Sequence, residues 1–260
     1  DNNQLGSKSG AGFYKKIKNE QGKSEILVLD LKTLEYRSKN KVKFATLDAA
    51  KAVDNLAERT RVLFNGTDEA GDFYRRIFGD VFAYVAQRVP EIADEPYRID
   101  DALRAGFGWE LGAFESWDAI GFEAGCEAIK ARGLSLPEWV GHFAKKSNGT
   151  FYQNRDGVRE YWNPQRNQYE PIPGQEDRIA LGWLPESSIV WSNTGTTIQD
   201  LGDGILNIAF HTKMNSIGSE VLEGLNKVID LAENEEQWKG VVVSNEGAQF
   251  SAGANVGMIF

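Results

Sequence analysis

The hydrophobic period changes three times along this chain, and no single layer of secondary structure accommodates such switching. Residues 13–18 and 25–31 read as strands joined by Asn19-Glu20-Gln21-Gly22. A glycine closing a short polar connection supplies the positive φ that a hairpin turn needs. From Thr46 the period becomes helical: Leu47, Ala50, Val53, Leu56, Thr60 and Leu63 predict one amphipathic helix stopped by Asn65-Gly66. A second helix is predicted from about Glu69 to Gln87, with Phe73, Ile77, Val81, Tyr84 and Val85 on its apolar face. Shorter helices fit 99–105, 114–120, 122–132 and 137–145, punctuated by Gly106, Gly108, Gly112, Gly121 and Gly133. That half reads as a compact all-α bundle.

Period two returns at 151–154 and 158–162 around Arg155-Asp156-Gly157. Residues 163–195 carry Pro164, Pro171, Pro173 and Pro185 and little periodicity, and read as an interdomain linker hugging a surface. Residues 196–201 and 204–210 then flank an Asp203-Gly204 hairpin turn. A helix over 219–233 is expected to point Val221, Leu222, Leu225, Val228, Ile229 and Ala232 inward, and Gly240–Val243 reads as a short buried strand. Hairpin, helix and strand open an α/β domain. The chain begins without Met and closes on apolar Gly-Met-Ile-Phe, which reads as a piece of something longer.

Composition excludes several classes. The 260 residues hold 38 Asp and Glu against 29 Lys and Arg, a net charge of −9 that opposes generic binding to nucleic acid or anionic membrane. Residues 1–45 run the other way, with ten Lys or Arg against five acids, and the charge of 37–43 reads as a solvated connector. No apolar run approaches the ~18 residues of a membrane span. Cys126, a lone cysteine, fits a reducing, cytoplasmic setting, and with only His142 and His211 beside it no four-ligand Cys/His zinc site is expected. No metal site is expected elsewhere. His142 reads as a group in the last turn of a helix, and His211 as the end of a strand. Glu110, Glu115 and Asp118 near helix starts read as solvated or capping groups.

An internal echo is visible. Lys8-Ser9-Gly10-Ala11-Gly12-Phe13-Tyr14 matches Lys146-Ser147-Asn148-Gly149-Thr150-Phe151-Tyr152 at four of seven positions, and each stretch leads into a strand, a turn with Gly, and a strand. Duplication is the better reading. Residues 44–152 would then be a complete helical unit plus its closing motif.

Three stretches carry a resemblance. Gly6-Ser7-Lys8-Ser9-Gly10-Ala11-Gly12-Phe13-Tyr14 resembles the close of the C-terminal domain of 3-hydroxyacyl-CoA dehydrogenases. The run from Ile99-Asp100-Asp101-Ala102 through Gly106-Phe107-Gly108-Trp109-Glu110-Leu111-Gly112-Ala113-Phe114 to Asp118-Ala119-Ile120-Gly121 is similar to the body of that domain in a second copy. Lys213-Met214-Asn215-Ser216, followed by Phe250-Ser251-Ala252-Gly253-Ala254-Asn255, resembles the start of the enoyl-CoA hydratase/isomerase (crotonase) fold. That order resembles multifunctional fatty-acid β-oxidation enzymes.

The resemblance implies a multidomain chain: an all-α domain followed by a truncated α/β crotonase-like piece. It implies the end of a first dehydrogenase copy with hairpin and linker over 1–43, the second helical copy over 44–152, hairpin and linker over 153–195, and the crotonase-like start over 196–260. For a thioester enolate, two backbone N–H groups must face the carbonyl oxygen as charge develops. By resemblance the Ala254 N–H is one of them, and Ala252, Gly253, Ala254, Asn255, Val256 and Gly257 border the CoA moiety. The second donor and the acid and base carboxylates belong to later sequence in that family. The dinucleotide fold and its Gly-x-Gly-x-x-Gly belong to earlier sequence. The resemblance therefore implies NAD and a CoA thioester for the parent enzyme, no cofactor site in this stretch, and an inactive fragment. The other reading is a non-catalytic scaffold. Both expect acyl-CoA partners for the parent and a homo-oligomer, because an unfinished helical surface and the edge of strand 241–243 seek partners.

Overall fold

The computed structural model describes residues 4–19, 21–40, 42–175, 177–247, 249–255 and 257. Among them, eight α-helices and three small sheets make a mixed α/β chain. The first sheet is an antiparallel meander of β1 (Tyr14–Lys18), β2 (Ser24–Leu29) and β3 (Tyr36–Ser38). The hairpin was legible, whereas β3 begins in residues with no apolar alternation and is held by Tyr36, whose hydroxyl donates to Gly12 O at 2.7 Å.

The helical unit comprises α1 (Ala45–Lys51), α2 (Leu56–Phe64), α3 (Glu69–Gln87), α4 (Pro96–Phe107), α5 (Ala113–Ile120), α6 (Phe122–Ala131) and α7 (Glu138–Lys146). The single helix expected from Thr46 is two. Asn55 restarts the chain by accepting the Glu58 N–H at 3.0 Å, an N-cap that leaves 52–55 outside both helices. Helix α3 has the expected bounds, and of its expected apolar face Val85 is buried and Val81 packs on the core, but the inward face is rotated away from the other three. Gly79, Phe82, Ala83 and Ala86 are buried, while Phe73, Ile77 and Tyr84 are exposed. The reason is close packing: a Cβ on Gly79 would stand 3.0 Å from Ala128 O, so α6 lies against the small residues of α3.

A second antiparallel meander follows, β4 (Tyr152–Arg155), β5 (Val158–Asn163) and β6 (Gln168–Pro171). Phe151, just ahead of it, has 0% of its surface exposed. It enters a socket of five rings, with centroids 5.0 Å away for Phe114, 5.1 Å for Trp117, 6.1 Å for Phe122, 6.1 Å for Trp139 and 4.3 Å for Phe143. The proline-rich stretch read as a linker thus contributes β6 to this meander and the edge strand of the next sheet.

The two meanders match far beyond the seven-residue echo. Leu29 N donates to Phe13 O, and Trp162 N donates to Phe151 O. Asp30 accepts the N–H groups of Lys32 and Thr33, and Asn163 accepts those of Gln165 and Arg166. Leu34 has φ 60° and Asn167 has φ 53°. Tyr36 OH donates to Gly12 O, and Tyr169 OH donates to Thr150 O. From Leu29 to Tyr36 these pairs keep one constant offset in sequence.

The last sheet has the order β10-β9-β8-β7, from β7 (Ile189–Ser192), β8 (Thr196–Asp200), β9 (Ile205–Phe210) and β10 (Gly240–Val243). Strands β9 and β10 are parallel, joined across α8 (Ser219–Asn234). Ile198, Leu206, Ile208, Phe210, Val221, Val228 and Leu231 form its core. Two expectations fail here. Val241, Val242 and Val243 are about 40% exposed, because β10 is an edge strand covered on one side only. Leu222 and Ile229 of α8 are exposed, since the helix turns Val221, Gly224, Val228 and Leu231 to the sheet. Among the described residues no helix is long and apolar enough to cross a membrane.

Candidate functional site

The small-residue loop after β10 is pinned to the segment between β9 and α8. Ile217 N donates to Gly253 O and Asn255 N donates to Ile217 O, both at 2.9 Å, which makes an isolated parallel bridge between Ile217 and Ala254. Ala252 N donates to Met214 O at 3.1 Å, and Ser251 Oγ donates to Asn215 O at 2.7 Å. Gly253 N is held by Ser251 Oγ at 3.0 Å, and Gly253 has φ +90°, a conformation that residues with a Cβ rarely adopt. Gly257 N donates to Asn255 Oδ1 at 3.1 Å. The Ala254 N–H meets no acceptor among the described residues. Val256 lies outside the described residues.

The other sequence candidates lie elsewhere. His211 Nε2 is 3.1 Å from Thr197 Oγ1, and His142 on α7 is 3.7 Å from Glu138. Glu115 and Asp118, read as solvated or capping, are drawn into the protein. Glu115 does cap α5, accepting Gly112 N at 2.9 Å, and its other oxygen takes Arg159 at 2.7 Å; Arg104 closes a second ion pair. Asp118 accepts Phe151 N at 2.7 Å and Tyr152 N at 2.9 Å. Asp100, fully buried, accepts Phe114 N, Glu115 N and the Tyr152 hydroxyl at 3.0, 3.0 and 2.9 Å. Burial pushes the Asp100 carboxyl up to about 6 and that of Asp118 up to about 7. It also pushes the Tyr152 hydroxyl well above its ordinary range, and the Cys126 thiol up to about 11.

Of these groups Arg104, Glu115, Tyr152 and Arg159 line a cleft of about 730 Å³, with Asp100 and Asp118 outside its lining. Its opposite side is the loop after β10, where Glu246 accepts Gly182 N at 3.4 Å. The Arg159 guanidinium lies 4.8 Å over the Tyr152 ring, and that of Arg178 lies 5.6 Å over Trp183. Every oxygen of Asp100, Glu115 and Asp118 already has a donor. The arrangement clamps the second meander onto the helical unit. Sequence reasoning missed this network because its carboxylates and arginines look like surface groups until the fold brings Asp100, Asp118, Tyr152 and Arg159 together.

No protein-family model matches the chain. It is similar to a Bacillus subtilis protein named "Probable 3-hydroxyacyl-CoA dehydrogenase", with 38% identity over 256 residues that cover 98% of this chain and 31% of that protein. It is also similar to a "Putative fatty acid oxidation complex trifunctional enzyme" of Rickettsia prowazekii, 24% identical over 267 residues, covering 100% of this chain and 31% of that protein. The chain is thus related to fatty-acid β-oxidation multifunctional enzymes. It spans about a third of the length of the curated relatives it matches. A solved Geobacillus kaustophilus structure described as "Enoyl-CoA hydrates" shares 28% identity over 26% of each chain with a TM-score of 0.25, an overlap too slight to argue a fold from.

Proposed function

We propose that this chain is part of a multifunctional β-oxidation enzyme that oxidises 3-hydroxyacyl-CoA with NAD and hydrates enoyl-CoA, acting in the cytoplasm. Within it, residues 44–152 serve as a helical scaffold unit, and residues 196–260 begin a crotonase-like domain whose Ala254 N–H helps bind the thioester oxygen. The observation that supports the loop's role most directly is the Ala254 N–H, which meets no acceptor among the described residues on a loop fixed by its bridge to Ile217. An N–H held in place before substrate arrives stabilises developing enolate charge without reorganising. Ala252, Gly253, Ala254, Asn255 and Gly257 would border the CoA moiety, since small side chains let backbone approach a ligand.

The described residues do not fit NAD. The crossover β9–α8–β10 has no Gly-x-Gly-x-x-Gly between its strand and helix, and the 3-10 turn Lys213–Asn215 occupies that connection. No step is assigned to NAD within this chain.

The experiment is turnover of crotonyl-CoA by the full-length enzyme carrying Gly253→Val. A fall near 10²-fold is expected for loss of one oxyanion donor. Unchanged turnover would reduce the loop to a simple turn. This chain alone is expected to convert neither crotonyl-CoA nor acetoacetyl-CoA with NADH, and steady conversion above a buffer blank would contradict that.

A further inference from the structure

The peptide that carries the Ala254 N–H is oriented from across the chain. Gly253 O accepts Ile217 N at 2.9 Å. A trans peptide is planar, with its N–H opposed to its C=O, so this bond aims the Ala254 N–H away from Ile217. The direction of that donor is only as well defined as the place of residues 249–255 relative to residues 214–217.

The turn before α8 fixes that place. Met214 and Asn215 stand at φ 57° and 51°, two successive residues with a Cβ in the left-handed region. Such backbone persists only where its surroundings over-determine it. Asn215 N donates to Thr212 O at 2.9 Å and Thr212 Oγ1 to Ser216 O at 2.6 Å, which closes the turn. The turn then presents both left-handed carbonyls to the loop. Met214 O accepts Ala252 N at 3.1 Å and Gln249 Nε2 at 3.2 Å, and Asn215 O accepts Ser251 Oγ at 2.7 Å. The Asn215 side chain acts in the opposite sense: its Nδ2 donates to Gln249 O at 3.1 Å and to Glu246 O at 3.4 Å. Ser251 Oγ also accepts Gly253 N at 3.0 Å, which carries the link to the residue before Ala254. Asn meets both demands of this position, since it tolerates positive φ and brings two N–H donors on one short side chain.

We propose that Asn215 is a positioning residue for the Ala254 N–H. It touches no reacting atom and acts by holding loop 249–255, directly at Gln249 and through Ser251 at Gly253. This deepens the reading of Ala254 as an oxyanion donor and rests on it. A donor set in place before charge develops favours the transition state over the bound thioester. Loosening its brace therefore lowers kcat and leaves KM nearly unchanged.

The test is hydration of crotonyl-CoA by the full-length enzyme carrying Asn215→Gly, which keeps the positive φ without strain and removes only the amide. Titration with saturated butyryl-CoA counts the folded sites. The expected result is a fall in kcat of roughly 10- to 10²-fold, with KM and the number of butyryl-CoA sites per chain within about twofold of the parent. Asn215→Asp keeps the shape but turns acceptors toward the Gln249 and Glu246 carbonyls, so it should lose at least as much. Ser251→Ala leaves the turn intact and breaks the shared hydroxyl; its kcat should fall about tenfold at unchanged KM, and it decides the matter if Asn215→Gly forms no butyryl-CoA sites. Unchanged kcat in Asn215→Gly, a loss carried by KM, or lost sites together with an unaffected Ser251→Ala would overturn the proposal. Gly253→Val separates it from the reading beneath. A 10²-fold fall there beside unchanged Asn215→Gly removes the brace alone, whereas unchanged turnover in Gly253→Val removes the oxyanion role and the brace with it.

Discussion

Replacing Phe151 by Ala removes the plug from a filled socket, and its cost can be worked from the surroundings. The ring has no exposed surface and stacks on Phe143 at 4.3 Å and 9°. Phe→Ala in such a site costs about 3–5 kcal/mol through lost burial and the cavity left behind. The ring partners on α5 and α7 place the expected value at about 4 kcal/mol, the middle of that range. Against a total of about 5–15 kcal/mol for a domain, the helical unit would become marginal. Urea unfolding followed by the fluorescence of Trp117, Trp139 and Trp162 reports this unit directly, because all three pack in or beside the socket. The α/β sheet has its own core and supplies an internal reference transition. Phe13→Ala in the same chain should shift stability by less than about 0.5 kcal/mol, as an exposed side chain does. If Phe151→Ala cost less than about 1 kcal/mol, or if the two variants cost the same, the plug-and-socket account would be wrong.

Three further outcomes are expected. A methyl on Gly125 would fall 2.1 Å from Nε1 of buried Trp117, so Gly125→Ala should destabilise the helical unit by about 1–3 kcal/mol or more in the same urea assay. Asp118 has its carboxyl raised to about 7 from a model-compound value of 3.8, so it binds a proton more tightly folded than unfolded. Its contribution to stability is therefore fully present below pH 3.8 and is lost as pH rises to about 7; Asp118→Asn should flatten that stretch of a stability-versus-pH curve, and an unchanged slope would refute the assignment. Light scattering at micromolar concentration should show a dimer or larger species for this chain, and a clean monomer would mean that the exposed Phe73, Tyr84 and β10 surfaces need no partner.

Element type was legible wherever the period was sustained. Helix α3 came out at its expected ends, and α5, α6 and α7 within a residue or two. What failed was orientation. Periodicity weighs large apolar residues, and in α3 it picked out Val81 and Val85 rightly but also Phe73, Ile77 and Tyr84; close packing instead chose Gly79, Ala83 and Ala86, which let α6 approach. Of the duplicated meander, only seven residues were readable. The turn accepts Asp30 or Asn163 as side-chain acceptor and Leu34 or Asn167 at positive φ, so identity decays while geometry persists. Of the last part of that match, only Tyr36 and Tyr169 remain alike in type, because the strap needs a long side chain ending in a hydroxyl. In the candidate loop, sequence supplied the small residues, but not the bridge to Ile217 that fixes them.

The edge strand has a colloidal consequence. Val241-Val242-Val243 is a short, uncharged, β-prone window on an open edge, flanked by Lys239 and Glu246 as gatekeepers. At neutral pH the chains also repel through a net charge of −9. That repulsion fades toward the isoelectric point near 4.9. Lowering the pH toward that point relieves the strain of ionising Asp118 inside the protein, yet it removes the repulsion that keeps bare β10 edges apart. Folding stability and solubility are thus pulled in opposite directions by the same protons. A preparation of this chain should keep longest at mildly alkaline pH and low salt, where it is folded less tightly and its neighbours stay at a distance.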